Sequence, residues 1–334
     1  MTLYNSNQII IIILILCSPH MNENKFKIAA FYEFKNIESP RILRGLIKSF
    51  CANSLIRGTV ILAPEGINGT LCGLIKDIDL FLEFISKHGF LNNNVKISHS
   101  KIMPFYRLKV KVKKEIITFY GKSINPMVVG GNSLAPNDWD DLIKSDDVVI
   151  LDVRNQYETR IGSFQNSIDP HTDSFTEFKE FIDSTISEYT GKKIAMYCTG
   201  GIRCEKASMY LNSLGHQEVY QLNGGILNYL ESIHPSSSSW KGECFVFDNR
   251  VSVNHDLAPG SYDLCNGCRE PISERDKDSE YYEEGVSCEA CFHKLTERKI
   301  RGSRDRSRQI KRGNIKGEIT TFTEFTTDDY RKLK

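Results

Sequence analysis

What this 334-residue chain lacks narrows it first. It offers no apolar run of membrane length: "IIIIILILC", Ile9 to Cys17, is nine residues, against about 20 for a spanning helix. That run also lacks the flanks of a secretory signal, with no Lys or Arg before it and no A-x-A site after it. Residues 1–25 are therefore expected to form a dispensable or disordered extension, with Met21 as an alternative start and a signal peptide as the lesser reading. Net charge is missing too, since 43 Lys/Arg against 42 Asp/Glu leave +1. The total charge thus points to no partner, and only its placement can. No internal repeat and no flavin or haem motif is visible. No feature points to a membrane, and no protein partner can be inferred.

What is present is ordinary in amount and uneven in position. Hydrophobic residues at 40% and charged residues at 25% suit a globular chain of two or three domains. Between Lys294 and Lys316 stand ten Lys/Arg against two Asp/Glu. This basic tail, residues 301–334 with its approach, reads either as a solvated segment or as a contact for an anionic partner such as RNA. The ten cysteines are concentrated in motifs. A secreted disulfide scaffold would be shorter and more evenly cysteine-rich, so working thiols in a reducing cytoplasm fit better.

Hydrophobic periodicity divides the chain. Residues 26–122 alternate strand and helix signals in the order β-α-β-β-α-β, that of a ferredoxin-like split sandwich. Its helix after Ser39 opens with Pro40, and its last strand is taken from "RLKVKVKKEIITF", where Arg107, Lys109, Lys111 and Lys113 alternate with apolar residues. Residues 123–142 are rich in Gly, Asn and Pro and read as a linker. Residues 143–235 hold "DVVILDV" and "KKIAMYC", continuous apolar strands of a buried parallel sheet, alternating with helices. Residues 236–300 form a cysteine-rich region that begins with a hairpin in "ECFVFDNRVSV".

The chemistry centres on "AMYCTGGIRCEKA". Cys198 stands at the carboxyl end of a strand, where open α/β sheets place their sites. Thr199, Gly200, Gly201, Ile202 and Arg203 make a short loop into a helix. Inward amide N–H groups and the helix N-terminus would surround the sulfur with positive potential and hold it as thiolate. The C-x4-R spacing from Cys198 to Arg203 is one residue shorter than the C-x5-R of cysteine phosphatases, which disfavours phosphate as substrate. Cys204 reads equally as a resolving thiol or as a small packing residue. His171 and Asp173 are expected on the rim of a substrate pocket rather than in an iron site. Cys265-x2-Cys268 and Cys288-x2-Cys291, nineteen residues apart, have the spacing of a four-cysteine structural zinc site, with His293 as a spare ligand.

"ILDVRNQYETRIGSF", the Cys198 loop and "LNGGI" resemble a rhodanese domain, in which Asp152, Arg154 and Glu158 would be structural and Cys198 would take the persulfide-forming place. Together with "IGSFQNSIDPHTDSF", "GECFVFDNRVSVNH" and "ILAPEGINGT", the sequence resembles the bacterial rhodanese-type tRNA uridine(34) hydroxylases from about residue 26 to 300. That resemblance implies an acylphosphatase-like domain, a rhodanese domain and a cysteine-rich C-terminal domain. It also implies tRNA as partner and molecular oxygen as co-substrate, hydroxylating the wobble uridine at C5. The alternatives are a thiosulfate-type sulfurtransferase and a non-catalytic RNA-binding or persulfide-carrier module.

Overall fold

A computed structural model describes residues 25–90, 95–121, 124, 130–315, 326, 327 and 329. The extension read at the N-terminus, up to residue 24, lies outside the described residues, as does most of the tail beyond 315.

The first domain runs β1 (Phe26–Phe34), α1 (Pro40–Cys51), β2 (Arg57–Ala63), β3 (Gly66–Leu74), α2 (Ile75–Lys87), β4 (Val95–Ser100) and β5 (Leu108–Val112). Apolar residues three or four apart give each helix one buried face: Leu43, Ile47 and Cys51 on α1, Ile78, Phe81 and Ile85 on α2. Both faces pack on Ala29, Phe31, Val60, Leu62, Leu71 and Val110 of the sheet. The sheet order is β4-β1-β3-β2-β5, antiparallel except for the parallel pair β2/β5. The expected fold is therefore present, with one correction to its strands. The fourth strand of the sandwich is β4, and the basic β5 is an added edge. Only half-buried, β4 carries a weak hydrophobic signal. Residues 113–119, read as more strand, instead wrap with Tyr120 and Gly121 around the Glu115 carboxylate, which accepts the amide N–H groups of Phe119, Tyr120 and Gly121.

Side chains alternate across a strand. Ile28, Ala30, Tyr32, Thr59, Ile61, Asn68 and Thr70 therefore point away from the helices, onto a face that meets the second domain.

The second domain comprises β6 (Asn132–Leu134), α3 (Pro136–Leu142), β7 (Val148–Asp152), α4 (Gln156–Thr159), β8 (Gly162–Phe164), α5 (Phe175–Thr185), β9 (Lys193–Tyr197), α6 (Ile202–Ser213), β10 (Val219–Leu222) and α7 (Gly225–Ser232). Its parallel sheet has the order β6-β10-β9-β7. Residues 132–142, read as the end of a linker, thus belong to this domain. Their turn formers hide the three-residue strand β6, which pairs with β10, and the helix that buries Trp139.

The C-terminal region starts with β11 (Trp240–Gly242), antiparallel to β8, followed by the expected hairpin β12 (Cys244–Phe245) with β13 (Ser252–Val253). The turn between the strands β14 (Asp263–Leu264) and β15 (Pro271–Ile272) holds the first cysteine pair, and the second is at the start of α8 (Glu289–Phe292), with Cys288 as its N-cap and Cys291 inside it. Much of the basic segment is a helix, α9 (Glu297–Ile315), where sequence reading had placed only a tail. Among the described residues no helix is long and apolar enough to cross a membrane.

Candidate active site

Cys198 follows the last residue of β9, and its backbone is pinned by the element after β10. The Ile226 N–H donates to the Cys198 carbonyl at 3.0 Å and Leu227 N–H to Thr199 O at 3.1 Å. This close approach explains "LNGGI": at Gly225, with φ +64°, a Cβ would lie 2.4 Å from the Cys198 carbonyl oxygen. At the loop itself Gly201 adopts φ +99°, turning its N–H onto the Cys198 sulfur at 3.1 Å. A side chain there would also meet the Tyr32 hydroxyl at 2.8 Å.

Arg203 closes the loop through Glu158. Its Nη1 and Nη2 donate to the two carboxylate oxygens at 2.5 and 2.8 Å, both side chains being buried. Glu158 accepts the Thr199 hydroxyl as well, at 3.3 Å. Burial alone would raise the Glu158 pKa, but the guanidinium of Arg203 outweighs it and keeps the carboxyl ionised. Asp152 and Arg154 form a second buried pair at 2.5 Å, with Arg154 also donating to Gly162 O at 2.6 Å. Asp152 and Arg154 have the structural role expected of them. Glu158 has more than that, because it fixes the loop arginine.

Burial would also push the Cys198 thiol up. The hydrogen bond from the Cys204 thiol, the Arg203 charge and the loop amides overcome this and bring its pKa down to about 5. Cys204 moves the opposite way, raised by burial and by donating to Cys198. The pair is thus one thiolate and one thiol in hydrogen-bond contact. The loop residues expected from the sequence, Thr199 to Arg203, all line one cavity with Cys198.

That cavity, of about 780 Å³, lies between the open face of the first sheet, the Cys198 loop and the β12–β13 hairpin. Tyr32 reaches it from β1 and Glu205 from α6. Burial raises both pKa values, and the two side chains are hydrogen-bonded to each other, with Gln221 bonded to Glu205. Phe247, 61% exposed, stands at the hairpin with the Arg203 guanidinium 5.8 Å from its ring centre. Sequence reasoning missed Tyr32, Glu205 and Phe247, which are brought together only by the domain arrangement.

That arrangement is held by Lys206. Fully buried, its ammonium contacts Glu65 at 2.7 Å, Glu115 at 2.5 Å and the Ile117 carbonyl at 2.8 Å. Glu65 belongs to "ILAPEGINGT" and Lys206 to "CTGGIRCEKAS", so two of the long motifs meet at one ion cluster. Lys96 adds a bond to Asn228 at 2.6 Å, and Arg250 one to Ser98 at 3.3 Å.

His171 and Asp173, expected on the pocket rim, are exposed and do not line this cavity. His171 sits at φ +53°, near Gln156 and Asp169. The chain turns there toward solvent before α5, which carries both residues away from the sulfur.

The sulfurs of Cys265, Cys268, Cys288 and Cys291 lie within 4.8 Å of one another. Neighbouring separations are 3.8 Å for Cys265–Cys291, 3.6 Å for Cys268–Cys288 and 3.9 Å for Cys288–Cys291. A tetrahedral ion with Zn–S bonds of about 2.3 Å requires an S–S edge of about 3.8 Å. The donor set and its spacing therefore fit zinc. His293 is outside the cluster, its ring packed on Tyr281.

Two family models match the chain. Residues 26–116 match the family described as the UPF0176 acylphosphatase-like domain, and residues 135–232 match the rhodanese-like domain. Among solved structures, a rhodanese-related protein from Thermoplasma volcanium is 32% identical over 31% of this chain and 95% of its own, with a TM-score of 0.26. An acylphosphatase from Coxiella burnetii is 16% identical over 28% of this chain and 99% of its own, with a TM-score of 0.22.

Proposed function

The chain belongs to the UPF0176 family, which joins an acylphosphatase-like domain to a rhodanese domain, and from that we infer that it modifies tRNA, hydroxylating the wobble uridine at C5 in the cytoplasm with molecular oxygen as co-substrate. Its rhodanese domain and family support a sulfurtransferase-like or tRNA-modifying enzyme. The observation that carries the finer reading is the cavity. At about 780 Å³ it lies within the ordinary size range of ligand sites, and its floor is a thiolate. Phe247 offers a flat face at the mouth for stacking an everted base, the usual way single-stranded RNA is held.

The electron count of such a reaction suits the two thiols. One oxygen atom enters the uridine C5–H bond, and the other leaves as water. Of the two electrons and two protons that this requires, closing the Cys198 thiolate and the Cys204 thiol into a disulfide supplies both electrons and one proton, and solvent supplies the second proton. An external thiol then restores the pair by exchange. In this role Cys198 is the nucleophilic thiolate, Cys204 the resolving thiol, and the loop amides with Arg203 hold negative charge at the sulfur.

Nucleoside analysis of tRNA incubated with the protein tests this. Wild-type protein should give 5-hydroxyuridine, and Cys198→Ala none. Retained hydroxylation in Cys198→Ala would falsify the assignment. Cys204→Ser should lose turnover in the absence of added dithiol and recover part of it on addition.

A second reading, thiosulfate-type sulfur transfer, is favoured by the tight C-x4-R loop. It predicts sulfur transfer to cyanide together with tRNA that stays unmodified in the same sample. We also propose that Cys265, Cys268, Cys288 and Cys291 hold a zinc ion, which would organise a region with little apolar core of its own.

A further inference from the structure

The open face of the first sheet does not end at the cavity. Thr59 and Ile61 line the cavity and are paired in register with Lys109 and Lys111 of β5. Residues directly opposite one another on neighbouring strands share a face, so both lysines project on the cavity side. Arg107, Lys109, Lys111 and Lys113 are all exposed, and Lys113 lines both the cavity and a groove that also contains Arg41. Among the described residues no carboxylate lies within ion-pair distance of Arg41, Arg107, Lys109, Lys111 or Lys113. Burial, and after it the neighbouring Arg107, Lys111 and Arg269, hold the Lys109 ammonium below its usual pKa.

The other basic element differs. On α9 Arg301, Arg304, Arg308 and Lys311 each face a carboxylate: Glu297 at 4.0 Å, Glu283 at 2.6 Å, Asp305 at 3.7 Å and Glu284 at 2.8 Å. Much of its positive charge is met within the protein.

We propose that β5 is the track for the RNA backbone, with Lys109, Lys111 and Lys113 contacting successive phosphates and leading the strand to the mouth of the Cys198 cavity. Alternate residues of a strand stand about 6.6 Å apart, a step commensurate with the phosphates of an extended single strand. The track rests on the reading that the substrate is RNA, and it places the binding energy on the first domain rather than on the C-terminal basic segment.

Fluorescence anisotropy of labelled tRNA against full-length protein, across a salt series, tests it. The triple variant Lys109→Gln/Lys111→Gln/Lys113→Gln should bind at least tenfold more weakly at low salt. Its slope of log affinity against log salt should flatten by about 2, from about 0.7 per single-strand phosphate contact. The substituted side chains are exposed, so its thermal midpoint should match wild type. Arg41→Gln should weaken binding in the same direction by a smaller factor. Wild-type affinity and slope in the triple variant, with losses instead in Arg301→Gln/Arg306→Gln/Arg308→Gln, would overturn the track. A wild-type protein that binds no tRNA and leaves its nucleosides unchanged would overturn the RNA reading along with it.

Discussion

At the scale of single residues the site is an arrangement for keeping sulfur negative inside a buried loop. Removing Arg203 exposes the cost of that arrangement. Arg203→Met leaves Glu158 buried and unpaired, so a loss of about 3–5 kcal/mol in unfolding free energy is expected. Most of it should return in Glu158→Gln/Arg203→Met, and chemical denaturation of both variants checks this. The thiolate itself can be titrated by its ultraviolet absorbance, as the difference between wild type and Cys198→Ala. A midpoint near pH 5 is expected, moving toward the ordinary thiol range in the double variant. The sign follows from the depressed pKa: the folded protein holds the thiolate above about pH 5, and the stabilisation it brings is full above the ordinary thiol value and is lost as pH falls from there through about 5. Cys198, its loop and Arg203 were legible from residue types and spacing. The partner that holds Arg203 was only half legible, because Glu158 stood in the rhodanese-like motif without a contact to explain it.

At the scale of elements, the backbone of the loop is clamped by the N-terminus of α7, and α6 is clamped to the first domain. Gly225→Ala should disturb the Cys198 loop through contact with the Cys198 carbonyl, read as a rise in the thiolate midpoint. Lys206→Met removes the ammonium that pairs with Glu65 and Glu115, both of which remain buried. A destabilisation of about 3–5 kcal/mol is expected there too. Adding Glu65→Gln and Glu115→Gln should recover part of it, because neutral amides tolerate burial better than carboxylates. Strands β1 to β3 and helices α1 and α2 could be read from period 2 and period 3.6. The strands β4 and β6 could not, since a half-buried edge and a three-residue strand leave too few apolar positions to make a period.

At the scale of the whole molecule three parts meet at one cavity: the open sheet face, the thiolate loop and the hairpin bearing Phe247. Phe247→Ala should weaken substrate binding about tenfold while leaving the thiolate midpoint unchanged, since base stacking contributes about 1–3 kcal/mol. A split of that kind between affinity and thiol titration separates a stacking side chain from a loop-supporting one. Metal analysis of purified protein should find about one zinc per chain, lost in Cys265→Ser/Cys288→Ser. A folded, zinc-free wild type would end that proposal.

The sequence by itself determined the local chemistry: the strand-end cysteine, the glycines of its loop, the C-x4-R spacing and the two C-x2-C pairs. Each of these depends on neighbours a few residues away, which is the range over which side-chain type and backbone geometry act directly. The resemblance of its long motifs added the order of domains. Tertiary structure alone decided where the site's other walls come from. Tyr32, Glu65, Glu115 and Phe247 lie between 44 and 166 residues from the cysteine loop in the chain, and only the packing of one domain on the other sets those distances. His171 and Asp173 stand outside the pocket, on the exposed turn before α5. Within the first sheet the β2/β5 register laid the lysines of β5 on the face that leads to the sulfur, because strand register, not spacing in the chain, selects which side chains share a surface.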